Sequence, residues 1–284
     1  MTYLNPETDK PERECPRPKW GLGYSYGKLI FRIVSTDSTP HMSASSPSGA
    51  AVSVSVSVMT STTFTLDMAR RSLLEEGFFD LNDSTVGDRV LEMEKQGFPY
   101  LTESGMDFCK QFAFDERIRS ILETSLERCS LGHWLRYEEF PGHVECFRRG
   151  GPKAGRRVLM VHLWAKGSRV EYYTLSHLHD LATTKGKRSL YEIPQSELDR
   201  VSSKPEVKDF PDGGLVILDA RLGFEIKQGY AITFLFATDE VIANWAKMTL
   251  PYSVGLEHKV RDLEMLSAKI GLNFTFEGSG STER

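Results

Sequence analysis

Residues 141–151 read PGHVECFRRGG. His143 and Glu145 stand two apart, and on a strand residues two apart point to one face. A histidine and a carboxylate on one face are two of the three protein ligands of a facial non-haem iron centre. With 7 histidines and 39 acidic residues among 284, about one such pair arises by chance. The pair therefore carries weight only through the elements that surround it.

Three other stretches hold residues with chemical potential. SHLHD contains His177 and His179, which would share a face if extended and form a second candidate metal pair, with Asp180 beside them. VLMVHLWA places His162 on one face with Met160 and Trp164, either as a core histidine with its ring hydrogen-bonded or as a pocket wall. FRRGGPKAGRR sets Arg148, Arg149, Lys153, Arg156 and Arg157 around three glycines and a proline. That run could grip an anion such as a phosphate or a coenzyme-A tail, or be the solvated charge of a hairpin. There is no G-x-S-x-G nucleophile elbow and no G-x-G-x-x-G opening a helix; Gly21, Gly23 and Gly27 of GLGYSYG have the wrong spacing.

The chain is long enough to bury a large core, and 40% apolar with 26% charged residues is ordinary for a globular protein. A net charge of −4 gives no electrostatic case for nucleic acid or an anionic membrane surface. No run approaches the 18 or so apolar residues of a membrane span. Cys15, Cys109, Cys129 and Cys146 are scattered without C-x-x-C spacing, which predicts reduced thiols and a cytoplasmic location.

The elements that must position the candidates follow from periodicity. Residues 1–34 form a proline-rich, then aromatic, N-terminal extension. Residues 35–63 are a Ser/Thr/Val segment with 15 Ser or Thr in 29 and Asp37 as its only charge. Low complexity predicts a disordered, dispensable insertion, although VSVSVSV has the strand period. Helical patterns follow, with Leu66, Ala69, Leu73 and Leu74 inward and a stop at Gly77. A second has Ser84 as N-cap and Gly97 as its stop. GFPYL reads as a short strand, and Asp115 caps a further helix with Ile118, Ile121, Leu122 and Leu126 inward. From His133 the period changes. HWLRYEEF, HVECF, RVLMVHLWA, RVEYYTL, GLVILDA, GFEIK and YAITFLFA are seven short strands punctuated by Gly and Pro, with KQGY as a candidate hairpin turn. A short helix over DEVIANWAKM follows, then a longer one with Leu256, Val260, Leu263, Leu266 and Ile270 on one stripe. The expected fold is mainly β with flanking helices: a jelly-roll core in one domain over residues 64–275, with a flexible tail at 276–284.

In this order of elements the chain resembles the phytanoyl-CoA dioxygenase-like branch of the iron(II)- and 2-oxoglutarate-dependent oxygenases, whose core is a double-stranded β-helix. EMEKQGFPYL, GHVE, VHLWAKGSRVEYYTLSHLHDL and GGLVILDARLGFEIKQGYAITFLF are similar to successive family segments, over about 180 residues. The resemblance implies iron(II) and 2-oxoglutarate as cofactors, His143 and Glu145 as metal ligands, and a small organic substrate. It also implies a distal histidine after GGLVILDARL, where this chain has Leu222, Gly223, Phe224 and Glu225. Of these, Phe224 cannot bind a metal and Glu225 could supply an oxygen. A basic residue is implied on the last core strand, but YAITFLFATDE has none; Lys227 and Lys247 lie outside it. Two readings follow. In one, the fold is kept, the metal site is incomplete, and the chain binds or transforms a small molecule without normal 2-oxoglutarate turnover. In the other, it is an active oxidoreductase with His143 and Glu145 on iron, completed by Glu225 or by His177 or His179.

Overall fold

The computed structural model describes residues 64–278 apart from 82 and 187. The N-terminal extension and the Ser/Thr/Val segment lie outside the described residues.

Four helices come first: α1 (Leu66–Glu75), α2 (Val86–Lys95), α3 (Glu103–Phe112) and α4 (Glu116–Ser125), with the strand β1 (Phe78–Leu81) after α1. The Thr65 side chain caps α1 by accepting the Met68 N–H. Gly77 ends the first helical segment at φ +92°, and a side chain there would meet the His177 ring at 2.7 Å. Ala69 and Leu73 face inward as the period requires, whereas Leu74 is exposed. At the start of α2 the cap is not Ser84. Thr85 holds that position, and Asp83 accepts both its N–H and its hydroxyl. GFPYL is not a strand. Phe98 turns at φ +56° with its N–H on the Met93 carbonyl, and the chain enters α3, which Thr102 caps. That helix, absent from the expected elements, buries Met106, Phe108, Cys109 and Phe112 on one face with a helical period. Asp115 caps α4 as its sequence predicts.

Two six-stranded sheets form the core. The major sheet runs β1, β9 (Gly214–Asp219), β4 (Val158–Trp164), β11 (Tyr230–Thr238), β2 (Cys129–Glu138), β13 (Ile270–Leu272). The minor sheet runs β6 (Thr184–Lys185), β7 (Tyr191–Glu192), β3 (Glu145–Cys146), β10 (Gly223–Gln228), β5 (Ser168–Tyr173), β8 (Pro205–Phe210). All pairings are antiparallel except β13 on β2. The short helix α5 (Gln195–Arg200) lies between β7 and β8. The chain closes with α6 (Asp239–Ile242), β12 (Met248–Leu250), α7 (Val254–Glu264) and β14 (Phe274–Phe276), the last paired parallel to β12.

β4 is buried on both faces, so it reads as a continuous apolar run. Leu159, Val161 and Leu163 pack with the helices on the outer side of the major sheet. Val158, Met160 and Trp164 pack with Tyr172, Phe224 and Ile226 of the minor sheet. Two facing antiparallel sheets with this strand order make a double-stranded β-helix flanked by helices. All seven strands expected from the sequence are present, and the KQGY turn joins β10 of one sheet to β11 of the other rather than closing a hairpin. On α7, Leu256, Val260 and Leu263 are buried, but Leu266 lies past its end and Ile270 belongs to β13.

Candidate functional site

Glu145 sits on β3, in register with Phe224 of β10 and Glu192 of β7. It is 1% exposed. A buried carboxylate needs a counter-charge, and Arg188 supplies one from the connection between β6 and β7. Arg188 Nε donates to Glu145 Oε1 at 3.4 Å and Nη2 donates to Oε2, a two-point fork. Its third nitrogen, Nη1, donates to the Glu138 carbonyl. The guanidinium lies over the Phe140 ring at 4.9 Å and the Tyr137 ring at 5.6 Å. Burial first, and the Glu145 charge second, push the Tyr137 phenol up. The same two causes push the Cys146 thiol up to about 12, so it stays protonated at neutral pH and is no nucleophile.

His143 precedes β3 in the turn that crosses from β2. Its ring stacks on Phe140 at 3.7 Å, and its Nδ1 lies 3.1 Å from Glu192 Oε2. The side chain is 39% exposed. His143 and Glu145 thus have separate partners, one at the rim and one inside. Among the described residues no three His, Cys, Asp or Glu side chains are grouped to hold a metal.

Phe224 stands at the position where the resemblance implies a distal histidine. It is fully buried and meets the His162 ring edge to face at 5.2 Å. His162 Nδ1 lies 3.3 Å from the Tyr172 hydroxyl, which also accepts the Trp164 indole N–H at 3.2 Å. Burial pushes the His162 pKa down to about 3, so its ring is neutral. His162 and Trp164 are therefore interior packing of the barrel, in contact with one another, His162 also against Phe224 and Trp164 against Phe210, and not the wall of an open pocket.

Glu225 points to the opposite face of the minor sheet from Phe224. It accepts the Gly142 N–H at 2.5 Å and pairs with Lys227 at 2.8 Å. It cannot join Glu145 on one centre, because consecutive strand residues face opposite ways. SHLHD forms a 3-10 turn over Ser176–Leu178 after Leu175 at φ +66°, so His177 and His179 do not share a strand face. His177 is buried against the first helical segment, its Nε2 3.2 Å from the Leu74 carbonyl, and burial lowers its pKa.

The basic run does not converge on an anion site. Arg156 donates to Asp219 and to the Leu73 carbonyl, and Arg157 pairs with Glu240. Arg149 donates to Thr183 and lies over Tyr191, while the Arg148 N–H bonds the Ala220 carbonyl. Short strands separated by tight turns send neighbouring side chains in different directions.

Arg188, Glu192, Tyr137 and Phe140 complete the constellation, and none stands out in the sequence. Arg188 lies in TTKGKRS, which reads as a polar loop, 43 residues from Glu145. Iron(II) and 2-oxoglutarate do not fit this set of donors. Glu145 is engaged by a guanidinium, His143 faces Glu192, the phenyl ring of Phe224 stands where the resemblance implies a histidine, and the inward side chains of β11 are Ala231, Thr233, Leu235 and Ala237, without a cation.

No family model and no curated protein matches the chain. Several solved structures are similar at low identity. The epimerase SnoN, in complex with Fe3+, alpha ketoglutarate and nogalamycin RO, is 12% identical over 61% of this chain and 83% of that chain, with a TM-score of 0.45. HygX from Streptomyces hygroscopicus with iron bound is 12% identical over 66% and 91%, with a TM-score of 0.40. A Pseudomonas putida prolyl-4-hydroxylase is 13% identical over 61% and 93%, with a TM-score of 0.28. The assignment to the double-stranded β-helix fold rests on this chain's own two facing sheets and their strand order.

Proposed function

We propose that this chain is a degenerate relative of the iron- and 2-oxoglutarate-dependent oxygenases. On this reading it binds a small organic molecule at the mouth of its barrel and does not turn over 2-oxoglutarate. The observation that carries the reading is the Arg188–Glu145 ion pair. A cation is already held on the buried carboxylate that the resemblance assigns to a metal. Phe224 in place of a ligand and a last core strand without a basic residue support it independently. Losing a protein ligand weakens a metal site by more than the roughly 10- to 100-fold cost of second-shell changes. Removing the cation opposite a buried carboxylate of the cosubstrate costs a further ~3–5 kcal/mol.

A soluble cytoplasmic protein with a small-molecule ligand is the setting we propose. Among the described residues no helix is long and apolar enough to cross a membrane. The test is succinate formation from 2-oxoglutarate with added iron(II) and ascorbate, against a His143→Ala control. The expected result is no succinate above the control. Robust succinate that vanishes in the control would restore the active-oxygenase reading.

A further inference from the structure

The contacts around Arg188 form a complete recognition site for its head group. Glu145 takes the Nε and Nη2 side as a fork, the Glu138 carbonyl takes Nη1, and the Tyr137 and Phe140 rings lie against the guanidinium. Every one of these groups belongs to β2, β3 or the connection between them. None belongs to the loop that delivers Arg188. We infer that the barrel mouth is a binding site for a guanidinium or ammonium compound, and that Arg188 occupies it as an internal stand-in. This deepens the proposed function and rests on it.

Two observations separate this from an ordinary structural ion pair. First, the delivering loop lies at the sheet edge, anchored by the buried Leu190 and by the Gly186 N–H on the Leu190 carbonyl. It joins two-residue strands at the outer edge of the minor sheet, both residues of β6 are exposed, and Ser189 is in the left-handed region at φ +61°. A segment at the sheet edge opens at lower cost than the central strands. Second, the charge balance favours a cation over an anion. An anionic ligand would have to take Arg188 away from Glu145 and leave that carboxylate buried without a partner. A cationic ligand replaces Arg188 and keeps both the Glu145 carboxylate and the Glu138 carbonyl partnered. Glu192, beside His143 at the rim, adds a second carboxylate along the entry.

Methylguanidinium, which is the arginine head group alone, is the probe, with urea as the neutral control of similar shape. In the wild type, hydrogen exchange of residues 186–190 is followed during titration with each. The expected result is exchange raised roughly tenfold or more by methylguanidinium and unchanged by urea. In Arg188→Ala, methylguanidinium is expected to raise the Tm by about 4 °C or more. The Glu145→Gln/Arg188→Ala double variant, which has no buried charge to unbalance it, is expected to show no rise. Unchanged wild-type exchange together with an unmoved, cooperative melt of Arg188→Ala would overturn the inference. If Arg188→Ala does not fold, the wild-type exchange result decides alone. Succinate formation is read separately, so a mouth indifferent to cations in a protein making no succinate overturns this inference and leaves the proposed function standing.

Discussion

Glu145 and Phe224 are register partners across β3 and β10, so a carboxylate and a phenyl ring stand side by side on the inner wall of the barrel. The next residue along that row is Tyr172 on β5, and His162 from the facing sheet packs edge-on against Phe224. A metal centre at this point would need polar donors converging on open space. Here Glu145 stands between Phe224 and Glu192, and its charge is met by Arg188.

Arg188→Ala should destabilise the fold by about 3–5 kcal/mol, because Glu145 is left buried and unpaired. The side chains of Arg188 and Glu145 are 22% and 1% exposed, so solvent screens the pair little. Adding Glu145→Gln should recover more than half of the loss. Urea unfolding of both single variants and the double variant gives the coupling energy. A coupling near zero would show that the pair holds nothing together.

Phe224→Ala should cost about 3–5 kcal/mol, as for other fully buried aromatic residues, since the His162, Trp164 and Tyr172 cluster cannot collapse into the space without breaking its hydrogen bonds. Thermal unfolding checks it. A loss under about 1 kcal/mol would mean that the interior is not the packed core described.

Acid should destabilise the protein through His162. Its pKa is near 3 when folded and 6.5 when unfolded, so the unfolded chain binds the proton first. Stability is therefore lost as pH falls from about 6.5 toward 3, by about 2 kcal/mol for this residue alone between pH 7 and 5. Burial lowers the pKa of His133 and His177 as well, and they act in the same direction. His162→Gln, which keeps a polar partner for Tyr172 and does not titrate, should flatten the decline of Tm with pH over that range. Parallel profiles for the two proteins would count against a buried neutral imidazole.

Asp219→Ala should destabilise by about 3–5 kcal/mol. Its buried carboxylate accepts from the Arg221 side chain at 2.8 and 2.7 Å and from Arg156 at 3.2 Å, and Arg156 also donates to the Leu73 carbonyl. The network ties the end of β9 to α1. Chemical denaturation of the variant checks the loss, and wild-type stability would show the network to be dispensable.

Much of the fold is legible in the sequence because its strands have strong local signals. The seven core strands are short runs of β-branched and aromatic residues between Gly and Pro turns, and Asp115 is an unambiguous cap. Most of what escapes is set by tertiary context. β1 and β8 are short edge strands with mixed polarity; α3, whose Met106, Phe108, Cys109 and Phe112 share a buried face, carries a helical period that the expected elements leave out. The HVEC spacing locates Glu145 correctly on a strand but misplaces His143, because the strand begins only at Glu145. The absence of a distal histidine at Phe224 is visible in the sequence, whereas the partner of Glu145 is not. Arg188 reaches it across 43 residues by a loop whose composition is that of any solvated turn.

Metal titration of thermal stability tests most directly whether Glu145 is committed to Arg188. The protein is melted anaerobically with increasing iron(II), and with manganese(II) as a redox-stable substitute, alongside His143→Ala and Arg188→Ala. The account predicts no rise in wild-type Tm at concentrations up to about 100 times a typical micromolar dissociation constant, where a bound metal would add about 2.7 kcal/mol. A saturable rise in the wild type that is lost in His143→Ala would contradict it, and would place a metal where the guanidinium now lies.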